Sequence, residues 1–326
     1  MTKFLFLITF LSGFSFGQSF DPAPDSAGTI AIKYDHPSFI AWATGGTITR
    51  GFVNINDTTI TYDDDNRASY GDLSDALGMA GGNGTDVISL GDSGIATLTF
   101  DYVIQDGPGF DFAVFENGFT DGYMEFAHVE VSSNGLDYTR FPSTSEIPLN
   151  PQLNNASISN CRYVNNLAGK YRSGYGTPFD LSELIGYPGL DVNNIQFVRL
   201  IDVVGDVDGI HTTTDNLGNP INDPFPTAFH SGGFDIDGVG IINGMLGLKE
   251  ESKFHLSVYP NPAKDLITIQ FPGNFELRVL DVIGNTIAAF SHHDLSTFDI
   301  SELVSGVYFI QVHGSGNSAT QSFMKR

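Results

Sequence analysis

Short alternating runs, cut by glycine, aspartate and asparagine, decide what this chain can fold into. Between Gln18 and Leu248 no long stretch carries apolar residues at helical spacing, whereas Ala127 to Ser132 alternates cleanly and Ser133 to Gly135 forms a hairpin turn before Asp137 to Phe141. A period of two over such lengths belongs to half-buried strands, and the bounding residues are turn formers. The same reading gives strands at Thr29 to Tyr34, Ile40 to Ala43, Thr47 to Val53, Val87 to Ser89, Gly94 to Phe100, Phe110 to Glu116, Ile195 to Asp202 and Phe234 to Ile242. Only Asp72 to Met79 and Asp180 to Ile185 suit short helices. Strands in this number and order predict an all-β, two-sheet, jelly-roll-like sandwich.

The end of the chain is patterned separately. Tyr259, Pro260, Asn261 and Pro262 form a rigid extended entry, because proline fixes its own φ and turns the preceding residue away from helix. Strands follow at Leu266 to Phe271, Phe275 to Asp281, Thr286 to Phe290, Thr297 to Ile300 and Val307 to His313, with Val282 to Asn285 as a turn, giving a small Ig-like β-sandwich. The pieces YPNPAKD, LRVLDVIGNTI and STFDISELVSGVYFIQV, with the closing Lys325 and Arg326, resemble the type A C-terminal sorting domain of the type IX secretion system. The resemblance implies that the tail is read by the export machinery and is cleaved or used for surface attachment.

At the front, Lys3, the apolar run Phe4 to Leu11 and the small-residue site Ser15 to Gly17 read as a signal peptide over residues 1–17. The expected division is then a sandwich at 18–248, a linker at 249–256 and the sorting domain at 257–326. No later segment approaches the apolar length of a membrane span. The expected location is extracellular or on the outer-membrane surface, after export to the periplasm. The lone cysteine, Cys161, excludes an intramolecular disulfide and reads as a buried small hydrophobe or a loop thiol.

The middle region also resembles secreted bacterial cell-surface proteins, through FIAWATGG (Phe39 to Gly46), VISLGDSGIATLTF (Val87 to Phe100), DGPGFDFAVFENGF (Asp106 to Phe119), FAHVEVSSNGLDYTRF (Phe126 to Phe141), VRLIDVVGD (Val198 to Asp206) and GFDIDGVGIING (Gly233 to Gly244). This implies a galactose-binding-like sandwich. Some relatives sit beside outer-membrane cobalamin receptors, which makes a corrinoid, a glycan or such a receptor the implied partner.

Residues 18–248 hold 30 Asp and Glu against 8 Lys and Arg, nearly all of the net charge of −23. Nucleic acid is therefore excluded as a partner, since phosphate needs the opposite sign. Acidic turns suit calcium, which takes six to eight oxygens. One candidate set is Asp202, Asp206 and Asp208, followed by Asp215, Asn216 and Asn219, although the spacing is not that of an EF-hand. A second is Glu116 with Asp235 and Asp237, which share a strand face by the period of two, near Asp106, Asp111 and Asn117.

Paired acids would also serve a glycosidase, but no spacing fixes their separation, there is no nucleophile-elbow motif, and His36, His128, His211 and His230 are scattered without zinc spacing. The aromatic candidates for stacking on a sugar or flat ligand are Trp42, Tyr123, Tyr138, Tyr171, Tyr175 and Tyr187, above all Tyr171 and Tyr175 in KYRSGYGTPF, where Lys170 and Arg172 make a basic island. The function expected is non-catalytic capture of an extracellular ligand. The alternatives are a calcium-dependent polysaccharide hydrolase and a structural adhesin.

Overall fold

The computed structural model describes residues 19–247, 256–314 and 317–326. The expected signal peptide, and all of the expected linker except Leu256, lie outside the described residues. The chain divides into two compact units, up to Gly247 and from Leu248 onward.

In the first unit the strands are β1 Ile32–Lys33, β2 Ala41–Trp42, β3 Gly45–Thr49, β4 Ile88–Ser89, β5 Ile95–Ile104, β6 Phe112–Glu116, β7 Ala127–Ser132, β8 Thr139–Arg140, β9 Thr144–Ser145, β10 Val164–Asn165, β11 Tyr175–Phe179, β12 Ile195–Asp202, β13 Asp235–Ile241 and β14 Gly244–Leu246. One antiparallel sheet runs β1-β11-β6-β13-β2, with β4 also on β13; the other runs β14-β5-β12-β7-β8, with β3 also on β5. Between them lies the core, including Leu98, Phe112, Val129, Phe179, Leu200 and Val239. Both predicted helices shrink to single 3-10 turns, Leu73–Ala76 and Leu181–Leu184. The second is started by Asp180, whose carboxylate accepts from the Ser182 N–H at 2.9 Å.

The central strands explain where a site can sit. β6 and β13 are buried along their whole length. Phe112 and Val114 face the inter-sheet core, while Ala113 and Phe115 pack beneath Phe39, Trp42 and Ala80 on the outer face. Two-sided burial leaves only the strand ends free to carry chemistry. A second cluster, including Met124, Phe126, Cys161, Val164 and Val203, fills the loops beyond the strands and encloses Cys161 as a small hydrophobe.

The second unit contains β15 Ser257–Tyr259, β16 Leu266–Leu280, β17 Thr286–Asp299, β18 Gly306–Gly314 and β19 Asn317–Lys325. The strands predicted at 266–271 and 275–281 are one long strand with a register break between Gln270 and Asn274, and those at 286–290 and 297–300 merge likewise. β15 pairs with the first part of β16 and β18 with the last part. β19 was not expected from the sequence: its polar run, NSATQSFMK, carries Phe323 and Ala319 toward the core.

Candidate cleft in the first unit

The sequence-predicted residues are dispersed by the fold. Trp42 is not a stacking platform: it packs on Phe39 and Phe115 at ring separations of 5.0 and 5.3 Å and covers the outer face of the first sheet. The basic island is likewise turned inward. Lys170 and Tyr171 are each 1% exposed. The Lys170 ammonium lies 3.8 Å from the Asp21 carboxylate, and burial lowers its pKa to about 8. Arg172 binds Asp25 at 2.7 Å and also Asp121, and the Tyr175 hydroxyl donates to Asp25 at 3.0 Å. Together these side chains strap the segment around Asp21 and Asp25 against β11. The Arg172 ion pairs reach solvent through Asp25 and Asp121 and are worth little, so Arg172→Ala is expected to change stability by less than about 1 kcal/mol in a denaturant titration and to leave ligand binding unaltered.

Neither predicted calcium set assembles. Asp202 is buried at the end of β12 and accepts from the N–H groups of Ser93 and Phe234 at 3.0 and 2.7 Å, while Asp208 is exposed and Asp206 accepts from the Asn56 amide at 2.6 Å. Asp215 closes its own turn by accepting from Leu217 and Asn219 at 2.9 Å each. In the other set a bulge falls between the two aspartates. Ile236 pairs with Glu116 but Gly238 with Phe115, so Asp237 is the extra residue. Its carboxylate accepts from the N–H groups of Gly81 and Gly82 at 2.7 and 3.0 Å, away from Asp235.

Among the described residues, the group whose ligand oxygens lie within 4.8 Å of one another is Asp106, Asp111 and Asp180. There Asp111 is filled by internal donors: Gly107 N–H, Leu181 N–H and the Asn243 amide, at 2.9, 2.7 and 2.9 Å. Among the described residues, neither predicted set places three carboxylate oxygens within 4.8 Å of one another.

What the fold does bring together is a cleft of about 340 Å³ at the end of β6 and the start of β13. Glu116 ends β6 and pairs with Ile236; Asp235 opens β13 opposite Ser89. Asn117, the next residue, donates its amide to Asp235 at 2.9 Å and to the Gly84 carbonyl at 3.2 Å. Asp235, Asn117 and Glu125 form the polar wall, with rings from Tyr70, Phe119, Tyr123, Phe229 and His230 around them. Gly169, at φ +84°, holds the backbone behind Glu125 where an added Cβ would collide with the Glu125 carbonyl.

The electrostatics of this wall are one-sided. Glu116 is 1% exposed and Asp235 5%; Glu116 Oε1 and Asp235 Oδ1 have no hydrogen-bond partner among the described residues. The Ser89 hydroxyl lies alongside Asp235 without closing a hydrogen bond of ordinary geometry. Burial pushes Glu116 well above the usual carboxylate range, and the Asp235 charge adds to the rise. Glu125 is raised by burial and then by Asp235 and Glu116. Asp235 is raised by burial, against the opposing effects of Ser89, Asn117 and Arg50.

Sequence reasoning found Glu116 and Asp235 but missed Glu125, Phe119 and Phe229. Nothing in their local spacing sets them apart, because loop packing and not strand period brings them to the cleft. Phe119, however, is a large apolar side chain beside Gly118 in a turn, and it stands 75% exposed.

The fold thus defines a two-unit all-β protein with an acidic, ring-lined cleft in its first unit. Residues 257–326 match the family model described as the secretion system C-terminal sorting domain, so the chain carries a type IX sorting domain and is a secreted or cell-surface protein. No curated protein matches it. Among solved structures it is similar to β-glucuronidase of Ruminococcus gnavus in complex with uronic isofagomine, at 11% identity and TM-score 0.19, covering 72% of this chain and 35% of that one. It is also similar to the BSP domain of a biofilm-associated protein, at 11% identity and TM-score 0.21, covering 71% and 48%. The chain spans about a third of the glucuronidase's length. Within the described residues no helix is long and apolar enough to cross a membrane.

Proposed function

We propose that residues 19–247 form an extracellular ligand-binding domain, delivered by type IX secretion, that captures a small hydrogen-bond-donating molecule in the cleft beside Asp235. The observation that carries this reading is a buried, unpaired carboxylate oxygen on a residue of the cleft wall, ringed by aromatic side chains. A carboxylate without a donor is costly inside a protein, and an incoming donor relieves that cost.

The volume, near the lower end of the roughly 300–1,000 Å³ of small-molecule sites, suits one or two sugar-sized rings better than a corrinoid. A purely structural component has no use for such a wall. Calorimetry of the full chain against monosaccharides, disaccharides and cobalamin tests this. Heat is expected with sugar-sized ligands, weakened about fivefold by Phe119→Ala if the ring contributes an ordinary stacking energy of about 1 kcal/mol. No heat with any of them would favour a structural role, and release of reducing ends from a polysaccharide would replace capture by hydrolysis. Removal of residues 257–326 is expected to leave the chain in the periplasm; undiminished export would remove the tail from the account.

A further inference from the structure

We infer that the ligand of this cleft is an organic cation, a protonated amine such as an amino sugar or a short polyamine, whose ammonium meets Asp235 and Glu125 while its carbon skeleton lies on the surrounding rings. The inference rests on the capture reading above and names the class of its ligand.

The first step is the whereabouts of the domain's own positive charge. Residues 18–248 contain eight Lys and Arg. Lys33 pairs with Asp35, Lys170 with Asp21, and Arg172 with Asp25 and Asp121. Arg140 and Arg199 both close on Glu130 across β8, β7 and β12. Arg162 donates to Ser19 and Phe20, and Arg67 lies 3.5 Å over the Phe52 ring while donating to the Arg50 carbonyl. Arg50 comes nearest to Asp235, but its guanidinium donates to the carbonyls of Tyr70, Ser89 and Gly71. None of the residues lining the cleft is a lysine or arginine.

The second step is what remains unmatched. Asp235, Glu125 and Glu116 are each at least nine-tenths buried, and Asp235 and Glu116 each keep one oxygen without a donor among the described residues. A buried carboxylate remains charged only beside a cation or a set of donors. The groups around Asp235 are Glu116, Glu125, Asn117, Ser89 and Arg50, and Arg50 supplies the lone positive charge among them.

The third step separates an organic cation from a metal ion. Calcium at about 2.3–2.6 Å from each ligand needs oxygens within roughly 5 Å of one another. The carboxylates of the cleft do not supply three such oxygens, whereas Asp106, Asp111 and Asp180 do so elsewhere. Aromatic walls contribute nothing to a hard metal ion but attract an ammonium through the faces of their rings, by about 0.5–2 kcal/mol per ring. Tyr70 and His230 lie 5.6 Å apart, and Phe119 and Tyr123 6.3 Å apart, so the rings come as two pairs around the acids.

The test is the melting of the full chain followed by the fluorescence of Trp42, its sole tryptophan, which reports the first unit alone. Glucosamine and putrescine, as ammonium probes, are set against glucose, glucuronate and calcium chloride at pH 7.5. The expected result is a raised midpoint with the amines, no effect of glucose or glucuronate, and an affinity for the amines at least tenfold weaker in Asp235→Asn. That variant removes a buried charge without changing shape and should fold; Glu125→Gln serves as the second. Proton release on amine binding, read by calorimetry in buffers of different ionisation enthalpy, should accompany the wild type and diminish in Asp235→Asn. Equal stabilisation by glucose and glucosamine overturns the cationic ligand and leaves capture standing. Stabilisation by calcium that competes with the amines and is lost in Asp235→Asn overturns it in favour of a metal. Silence across the panel overturns both readings.

Discussion

Without ligand, the first unit should become more stable as pH falls from 8 to 6.5, read as a rising Trp42 melting midpoint. Asp92 sets the sign. It is 3% exposed, and burial pushes its carboxyl from the usual 3.8 up to about 7. Folded Asp92 therefore holds a proton that the unfolded chain releases between those two values. Its contribution is full below about 3.8 and is lost as pH rises through about 7. A shift of that size corresponds to about 4 kcal/mol. Glu116, Glu125, Asp202, Asp223 and Asp235 are all raised by burial in the same direction, so they add to the slope.

Two groups oppose the trend, outside this window for the most part. Burial lowers His128 to about 4, so its contribution is lost only as pH falls from 6.5 toward 4. Lys170, lowered to about 8, gains stability as pH rises from there toward 10.5. Between 6.5 and 8 the carboxylates act nearly alone; of its ~4 kcal/mol Asp92 itself supplies about 1 kcal/mol in this window and the rest between 6.5 and 3.8, so it moves the midpoint there by on the order of 3 °C. Asp92→Asn should flatten part of the slope. A flat or falling wild-type midpoint on acidification would show that these carboxylates are ionised without penalty. It would also weaken the case that the cleft wants a cation.

Much of the fold is legible because strand periodicity is a local property. β7, β12 and β13 fall within a residue of the alternating runs, and the tail's Ile267, Ile269, Leu277 and Val279 are buried where alternation places them. What local pattern does not contain is continuity. The segments 266–271 and 275–281 read as two strands because Pro272 and Gly273 look like a turn, yet the chain runs through them with a register shift. The predicted helices fail for a related reason. Each has a good start, at Asp72 or Asp180, but too few residues follow to sustain more than one 3-10 turn.

The site was legible only as residue types. Glu116 and Asp235 stand out as acids at strand ends, and the structure sets Asp235 in the cleft wall with Glu116 buried near it. Asp235 and Asp237 do not converge because each carboxylate is taken up by different donors, the Asn117 amide for Asp235 and the Gly81 and Gly82 N–H groups for Asp237, and loop donors are not written in the strand period. The basic island failed because exposure is a tertiary property. Lys170 and Tyr171 lie among turn-forming residues, yet the segment around Asp21 folds over them. An unmatched charge is legible only after every cation has been traced to its partner, which no spacing rule can do.

Asp111→Ala should be among the most damaging single substitutions in the first unit, at about 3–6 kcal/mol in a denaturant titration followed at Trp42. The side chain is fully buried, and its two oxygens take three donors: Gly107 N–H, Leu181 N–H and the Asn243 amide. Alanine removes the acceptor of all three, at about 1–3 kcal/mol for each buried group left unsatisfied, the Asn243 amide alone keeping a second acceptor in the Phe110 carbonyl at 3.1 Å. Asp111→Asn should fall between, because one carboxamide oxygen can still accept while the amide nitrogen faces a donor. A loss below about 1 kcal/mol for Asp111→Ala would mean that the three donors find other acceptors and that this knot is not what fixes the loop before β6 to the turn at Leu181. In sequence Asp111 and Asp235 are the same residue in similar turn-rich company. The donors around them separate a carboxylate that holds the fold together from one left open to a ligand.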